Sequence, residues 1–261
     1  MTGNSLPYPP LYARLYSIWF RHFRVYTRNL ISNGLPPFLE PLIFLVGIGL
    51  GLGQYIDRME GVKYLPYLAS GLLVTASMYT AAFECSFGTF IRMEFDKAYD
   101  GMLGASITAE DLILGEILWA GTKGFFFSFA VLVIVISFGI LPVASTVPAP
   151  VVGFFTGIMF GAFSLFITSF VKTINHFNFY MTGFLSPMFF FSGVVFPLSQ
   201  FPPVVRHLSE ILPLTHSVRL VRDLSLFSLD LMSLWSTLYI FLFIVVFGYL
   251  AVARLKRRLI S

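Results

Sequence analysis

Six apolar runs alternate with short polar breaks along this chain, each long enough to cross a bilayer. A spanning helix needs about 20 mostly apolar residues. The runs cover about Leu35 to Tyr55, Leu65 to Ile91, Leu112 to Leu141, Val151 to Val171, Phe177 to Phe196 and Leu231 to Ala253. The last holds no charge until Arg254, and Lys256, Arg257 and Arg258 follow at once, a cationic stop of the kind kept in the cytoplasm. Ahead of the first run the period changes. Leu11, Leu15, Ile18, Trp19, His22, Phe23, Tyr26 and Leu30 recur at three- and four-residue steps. Arg14, Arg21 and Arg28, with Arg24 beside them, fall on another face. This pattern predicts an amphipathic helix over 11–31 lying along the lipid headgroups. Asn33, Gly34, Pro36 and Pro37 are expected to end it and turn the chain into the bilayer.

Composition points the same way. Mean hydropathy is +0.82, and only 11% of the 261 residues are charged. A soluble domain usually carries about 25%, so there is too little polar surface to cover a water-soluble globule. The expectation is an all-α integral membrane protein forming one domain over 1–261: an N-terminal interfacial amphipathic helix plus six transmembrane helices. The net charge of +4 reflects topology; no soluble basic module is present to bind nucleic acid. Cys85 is the only cysteine, which rules out an intrachain disulfide and cysteine-rich metal sites. The first 33 residues lack the apolar core and small-residue cleavage site of a signal peptide, so targeting is expected from the first span.

With both termini inside, 11 Lys and Arg residues fall in the cytoplasm and 5 outside, with Lys123 within a span. That bias favours the orientation with both ends cytoplasmic. Two loops exceed simple turns. The cytoplasmic one, about 92–111, is acidic, holding Glu94, Asp96, Asp100, Glu110 and Asp111 against Arg92 and Lys97. The external one, 197–230, carries Pro202, Pro203 and Pro213 among apolar residues, which predicts short re-entrant-like helices before the last span.

Two stretches carry a resemblance. One is Ser192-Gly193-Val194-Val195-Phe196-Pro197, followed by Pro213-Leu214-Thr215 and Val218-Arg219; the other runs from Phe95 to Ile107 through Asp96, Tyr99, Asp100, Gly101, Met102, Leu103 and Ser106. In this order of elements the chain resembles the membrane subunits of ABC-2-type exporters, in their nodulation-protein-J-like branch of polysaccharide and drug export. The resemblance implies a permease subunit in the bacterial inner membrane, paired with a second permease copy and with ATP-binding-cassette ATPase subunits. It also implies a coupling segment in which Asp96, Tyr99, Asp100, Met102 and Leu103 meet the ATPase. ATP and Mg would be bound by that partner; no cofactor is expected in this chain. Consistently, the sequence holds no G-x-x-x-x-G-K-[ST] phosphate loop. The cargo expected is amphipathic: a lipo-oligosaccharide, a glycolipid or a hydrophobic drug.

Glu40, Glu84, Glu116 and Lys123 fall within the apolar runs, where each charge costs about 2.5–3.5 kcal/mol or more. Such groups face the bundle interior and pair. Two readings stand open: a structural charge cluster, or a gate at the cytoplasmic entrance. Tyr180 and Phe184 are candidates for lining a cavity. Gly153, Gly157 and Gly161, and separately Gly47, Gly49, Gly51 and Gly53, suit close helix approach within a subunit or at a dimer seam. His207, Glu210 and His216 match no H-E-x-x-H spacing, and no metal site is expected. An intramembrane protease or lipid hydrolase would need a G-x-S-x-G elbow or paired histidines, both absent, so no catalytic residue is expected. A proton-coupled secondary transporter using the buried carboxylates is the alternative, though two related halves are not evident.

Overall fold

The computed structural model describes residues 9–105 and 107–260, without the side chains of Leu30, Glu40, Leu50 and Ile260. Ser106 and the Glu40 side chain, both singled out above, lie outside the described residues. The N-terminal helix α1 (Leu11–Arg28) comes first. Among the described residues, five helices are long and apolar enough to cross a membrane: α2 (Ile31–Gly53), α3 (Tyr64–Phe95), α5 (Ala109–Ser137), α6 (Val143–Thr168) and the final α10, which is helical over Leu231–Ile260. Between them lie α4 (Ala98–Leu103), α7 (176–191), α8 (Pro203–Ser209) and α9 (Pro213–Leu226). A two-residue hairpin pairs β1 (Arg58–Met59) with β2 (Val62–Lys63) through Glu60 and Gly61, both at positive φ as a tight hairpin turn requires.

The break between α1 and α2 falls at Asn29 (φ −120°, ψ 55°), ahead of the position the sequence suggested. Asn33 and Gly34 stay helical, and Pro36 and Pro37 open the next helical stretch. There the missing N–H groups break no intrahelical bond. Helix α5 starts on a capping box: the Thr108 side chain accepts from Asp111 N (3.2 Å), and the Asp111 carboxylate accepts from Thr108 N (2.9 Å). At 29 residues it is about 44 Å long, enough to cross the bilayer and reach beyond one face.

The central packing joins α5 and α6 through glycine. A Cβ on Gly157 would lie 2.6 Å from the Ala120 carbonyl oxygen, and one on Gly124 would lie 2.6 Å from that of Gly153. Gly153, Gly157 and Gly161 therefore serve packing within the subunit, the first of the two roles the four-residue spacing allowed. Gly49 is likewise closed by Leu65, whereas Gly47 and Gly51 face nothing within 4 Å.

Helix α7 differs from its predicted span of 177–196. It stops at Phe191 because Gly193 turns at φ +80° and the chain runs unwound into Pro197. At one end Phe177 packs against Phe87 and Phe90, with ring centroids 5.2 and 5.6 Å apart. Beyond the other end the Gly193 carbonyl accepts from the Tyr67 hydroxyl at 3.0 Å. The two ends of this segment thus meet the two ends of α3. The external prolines act as expected, with Pro203 and Pro213 opening α8 and α9.

Candidate functional site

Two widened, π-type turns, Glu84–Gly88 and Ile91–Phe95, interrupt the far end of α3. Such turns shift the register of a helix face and recur at functional positions. Here they set Arg92 beside Glu84, eight residues back. Arg92 Nη1 donates to Glu84 Oε1 at 2.7 Å, and its Nη2 donates to Glu116 Oε2 of α5, also at 2.7 Å. Lys123, two turns along α5, donates to Glu84 Oε2 at 2.8 Å. The Tyr99 hydroxyl of α4 donates to Glu116 Oε1 at 2.7 Å. His22 of α1 brings Nε2 to 3.0 Å from the same oxygen, without hydrogen-bond alignment, and stacks on Trp119 at 5.7 Å. One chain of contacts, Tyr99–Glu116–Arg92–Glu84–Lys123, therefore joins three elements, α3, α4 and α5.

The sequence left Lys123 to meet either Glu84 or Glu40, and it meets Glu84; Arg92, His22 and Tyr99 as members were not legible. Arg92 read as a loop cation because π turns leave no trace in periodicity. His22 read as part of the apolar face of α1, which it is, but that face packs on α5. The His22, Glu84 and Glu116 ligand atoms lie within 4.8 Å of one another, a spacing a metal would accept. All four carboxylate oxygens are already engaged by Arg92, Lys123, Tyr99 and His22, and two cations sit among them. A divalent ion would have to displace both.

Helix α4 is turned by Lys97, which adopts a left-handed φ of 50°. That corner folds α4 back so that Tyr99 and Met102 are buried, while Asp96 and Asp100 are exposed and Leu103 is half-buried. Of the five positions expected to meet an ATPase, Tyr99 and Met102 therefore face inward. Burial, and then the Glu116 charge, push the Tyr99 hydroxyl pKa well above its ordinary value, keeping it a donor. The same end of the bundle gathers further pairs: Arg14–Asp111, Lys256–Glu110 (2.7 Å) and Arg258–Glu94 (2.9 Å).

Above this network a cavity of about 550 Å³ opens between α1, α2, α3, α5 and α7. Its polar end is Tyr26, Ser32, Asn33 and Lys123; its apolar walls include Phe44, Leu72, Phe127 and Phe189. Lys123 Nζ lies 5.5 Å from the Tyr26 ring centroid and 5.8 Å from that of Phe127. Burial, with help from the Glu84 charge, raises the Tyr26 pKa to about 12. From α7 the lining residues are Met181 and Phe189, in place of the expected Tyr180 and Phe184. Tyr180 turns away to share a 2.8 Å hydrogen bond with Ser164, and Phe184 packs on Phe163 at 5.3 Å.

At the opposite end, Arg222 of α9 is only 7% exposed and has no carboxylate within ion-pair distance among the described residues. Its guanidinium lies 3.7 Å over the Tyr67 ring centroid. It donates to Ser70 Oγ (3.2 Å), Tyr67 O (3.3 Å) and Gly193 O (2.9 Å). Burial lowers its pKa.

Apolar helices long enough to span, with their few charges paired inside, define a multi-pass membrane protein. Residues 13–226 match the ABC-2 type transporter family, and the chain belongs to it. It is 34% identical to Nodulation protein J of Sinorhizobium fredii (strain NBRC 101917 / NGR234) over 251 residues, 94% of each chain. It is 33% identical to Nodulation protein J of Rhizobium leguminosarum bv. trifolii over 246 residues, 94% of this chain and 93% of the relative. To that of Rhizobium meliloti (strain 1021) it is 32% identical over 210 residues, 80% of each. Members of this family are membrane subunits of transporters whose ATPase is a separate subunit.

Proposed function

We propose that this chain is the permease of an ATP-binding-cassette exporter, moving an amphipathic cargo (a lipo-oligosaccharide, a glycolipid or a hydrophobic drug) out of the cytoplasm. A separate ATPase subunit binds ATP and Mg and supplies the motion. The observation that carries this reading is the continuous contact chain from Tyr99 of α4 to Lys123 on the cavity wall. A push on the exposed Asp96 and Asp100 and the half-buried Leu103 would be passed through Tyr99, Glu116, Arg92 and Glu84 to the group that faces the cavity. Rigid-body shifts of packed elements carry such coupling.

Several features support the finer parts. Segment α7 and the turn after it, meeting the two ends of α3 through Phe177 and Gly193, support a sixth span. The basic tail pairing with Glu94 and Glu110 beside α4 supports one common, cytoplasmic side for the C-terminus, α4 and α1. The bare Gly47 and Gly51 positions support a second copy packing against α2. The exposed Arg24 and Arg28 beside apolar positions of α1 suit a helix lying on the inner face of the bacterial cytoplasmic membrane. Full engagement of both buried carboxylates weighs against the proton-coupled alternative, since a proton carrier must be free to titrate.

The test is Lys123→Ala in proteoliposomes with the ATPase. Glu84 keeps Arg92, so the complex should assemble, while ATP-driven transport falls roughly tenfold. Wild-type transport by this variant would remove the contact chain from the mechanism.

A further inference from the structure

Helix α1 presents three faces, and the fold uses one. His22 lies against Glu116, Trp19 Nε1 donates to Thr122 Oγ1 at 3.0 Å, and Arg14 pairs with Asp111, so that side is clamped to α5. A second face is aromatic. Tyr12, Tyr16, Phe20 and Phe23 recur at steps of four and three and are all exposed, with the Tyr16 and Phe20 rings stacked at 5.7 Å. The third is cationic. Arg21, Arg24 and Arg28 share one side of the helix over about 10 Å of its axis. Together with Phe20 and Thr27 they border a recess of about 620 Å³.

None of these three arginines has a carboxylate within ion-pair distance among the described residues. Residues 1–8 contain no Asp or Glu. Like charges four residues apart, as Arg24 and Arg28 are, repel one another, so the face calls for an anion from outside the fold. What that anion is follows from the neighbouring face. Arg24 Cζ lies 5.7 Å from the Phe20 ring centroid, so the cationic and aromatic faces meet along one edge. A free phosphate or an acidic peptide would use the guanidiniums alone and leave the rings bare. A phospholipid uses both: its phosphate accepts from the paired N–H groups of a guanidinium, and its acyl chains cover Tyr16 and Phe20. A zwitterionic headgroup would bring its own ammonium against the arginines; an anionic one does not.

We propose that this edge of α1 is a selective binding site for an anionic phospholipid of the inner leaflet, which holds α1 in the position that sets His22 against Glu116. The export reading supplies the cytoplasmic placing of α1 on which this rests. The lipid is a resident partner, distinct from the cargo.

The experiment is native mass spectrometry of the full chain released from detergent, without ATP or ATPase. Phosphatidylglycerol and phosphatidylcholine of equal chain length are offered together, and phosphatidylglycerol adducts should dominate. Each guanidinium near an anionic headgroup is worth roughly fivefold in affinity. Arg24→Gln/Arg28→Gln should therefore weaken phosphatidylglycerol binding by roughly twentyfold and leave phosphatidylcholine unchanged. Phe20→Ala should weaken it as well. A ligand that binds the folded state stabilises it, so phosphatidylglycerol should raise the melting temperature of the wild type and not of the double variant. Arg254→Gln/Arg257→Gln, which removes the same charge from the basic tail, should keep the wild-type preference. Equal adducts of the two lipids, loss of the preference in the tail variant, or displacement of phosphatidylglycerol by soluble glycerol phosphate would each overturn the proposal. Since binding is read without the ATPase, these failures leave the export reading standing. A failure of ATP-driven export would in turn leave the lipid preference intact.

Discussion

At the scale of single residues, Glu116 and Lys123 test how the buried charges divide their work. Glu116 holds three partners from three elements: Arg92, Tyr99 and His22. Its replacement by Ala leaves Glu84 as the one buried carboxylate facing both Arg92 and Lys123, and breaking a buried pair from one side costs about 3–5 kcal/mol. Lys123→Ala leaves Glu84 bound to Arg92 and should cost less, on the order of 1–2 kcal/mol. Thermal unfolding in nanodiscs should rank them in that order; equal losses would show that the network is not arranged as described. His216 sets a pH dependence at the other end. Its Nε2–H donates to the Glu210 carbonyl at 2.9 Å, and in the neutral ring Nδ1 accepts from the Ser236 hydroxyl at 3.3 Å. Burial, with Arg219 adding to it, lowers its pKa below the usual 6.5. As pH falls, the unfolded chain takes up this proton first. Stability present above about pH 6.5 is therefore lost as pH falls toward the folded-state value. His216→Gln should flatten that decline in an unfolding series between about pH 7 and 5.

Among the elements, the α5–α6 seam and the α4 corner carry opposite predictions. Gly157→Ala places a methyl 2.6 Å from the Ala120 backbone oxygen, where nothing flexible can yield. Overpacking of this kind costs about 1–3 kcal/mol, readable as a lowered melting temperature. Lys97→Gly relieves a left-handed residue and should stabilise by about 1 kcal/mol, with transport retained if the corner is fixed by geometry alone. These two positions also show what a sequence reveals. The glycine stripe announces close packing, because spacing of four is itself the geometry, but it does not name the partner helix. Five of the six expected spans were legible as helices of crossing length for the same reason: apolar length is dictated by bilayer thickness. The Lys97 corner, the π turns that align Arg92 with Glu84, and the end of α7 at Gly193 were not legible. Each depends on tertiary contacts that bend a locally helical sequence. Tyr180 and Phe184 failed as cavity residues on the same ground, since only packing against Ser164 and Phe163 decides which face of α7 is open.

For the molecule as a whole, the two ends are built differently. One end gathers α1, α4, the basic tail and a fully paired buried network beneath an amphipathic cavity. The other holds Arg222 against three carbonyl and hydroxyl oxygens beside a smaller polar pocket. On the proposed reading the first end takes the mechanical input. Family membership places the motor in a separate subunit, and on the proposed reading the contacts from Tyr99 to Lys123 are the route by which it acts. The most direct measurement is uptake of a labelled glycolipid into inverted proteoliposomes, with and without the co-reconstituted ATPase. The account predicts transport only when ATPase, ATP and Mg are all present, and no response to an imposed proton gradient. Sustained, proton-driven uptake by this chain alone would contradict it.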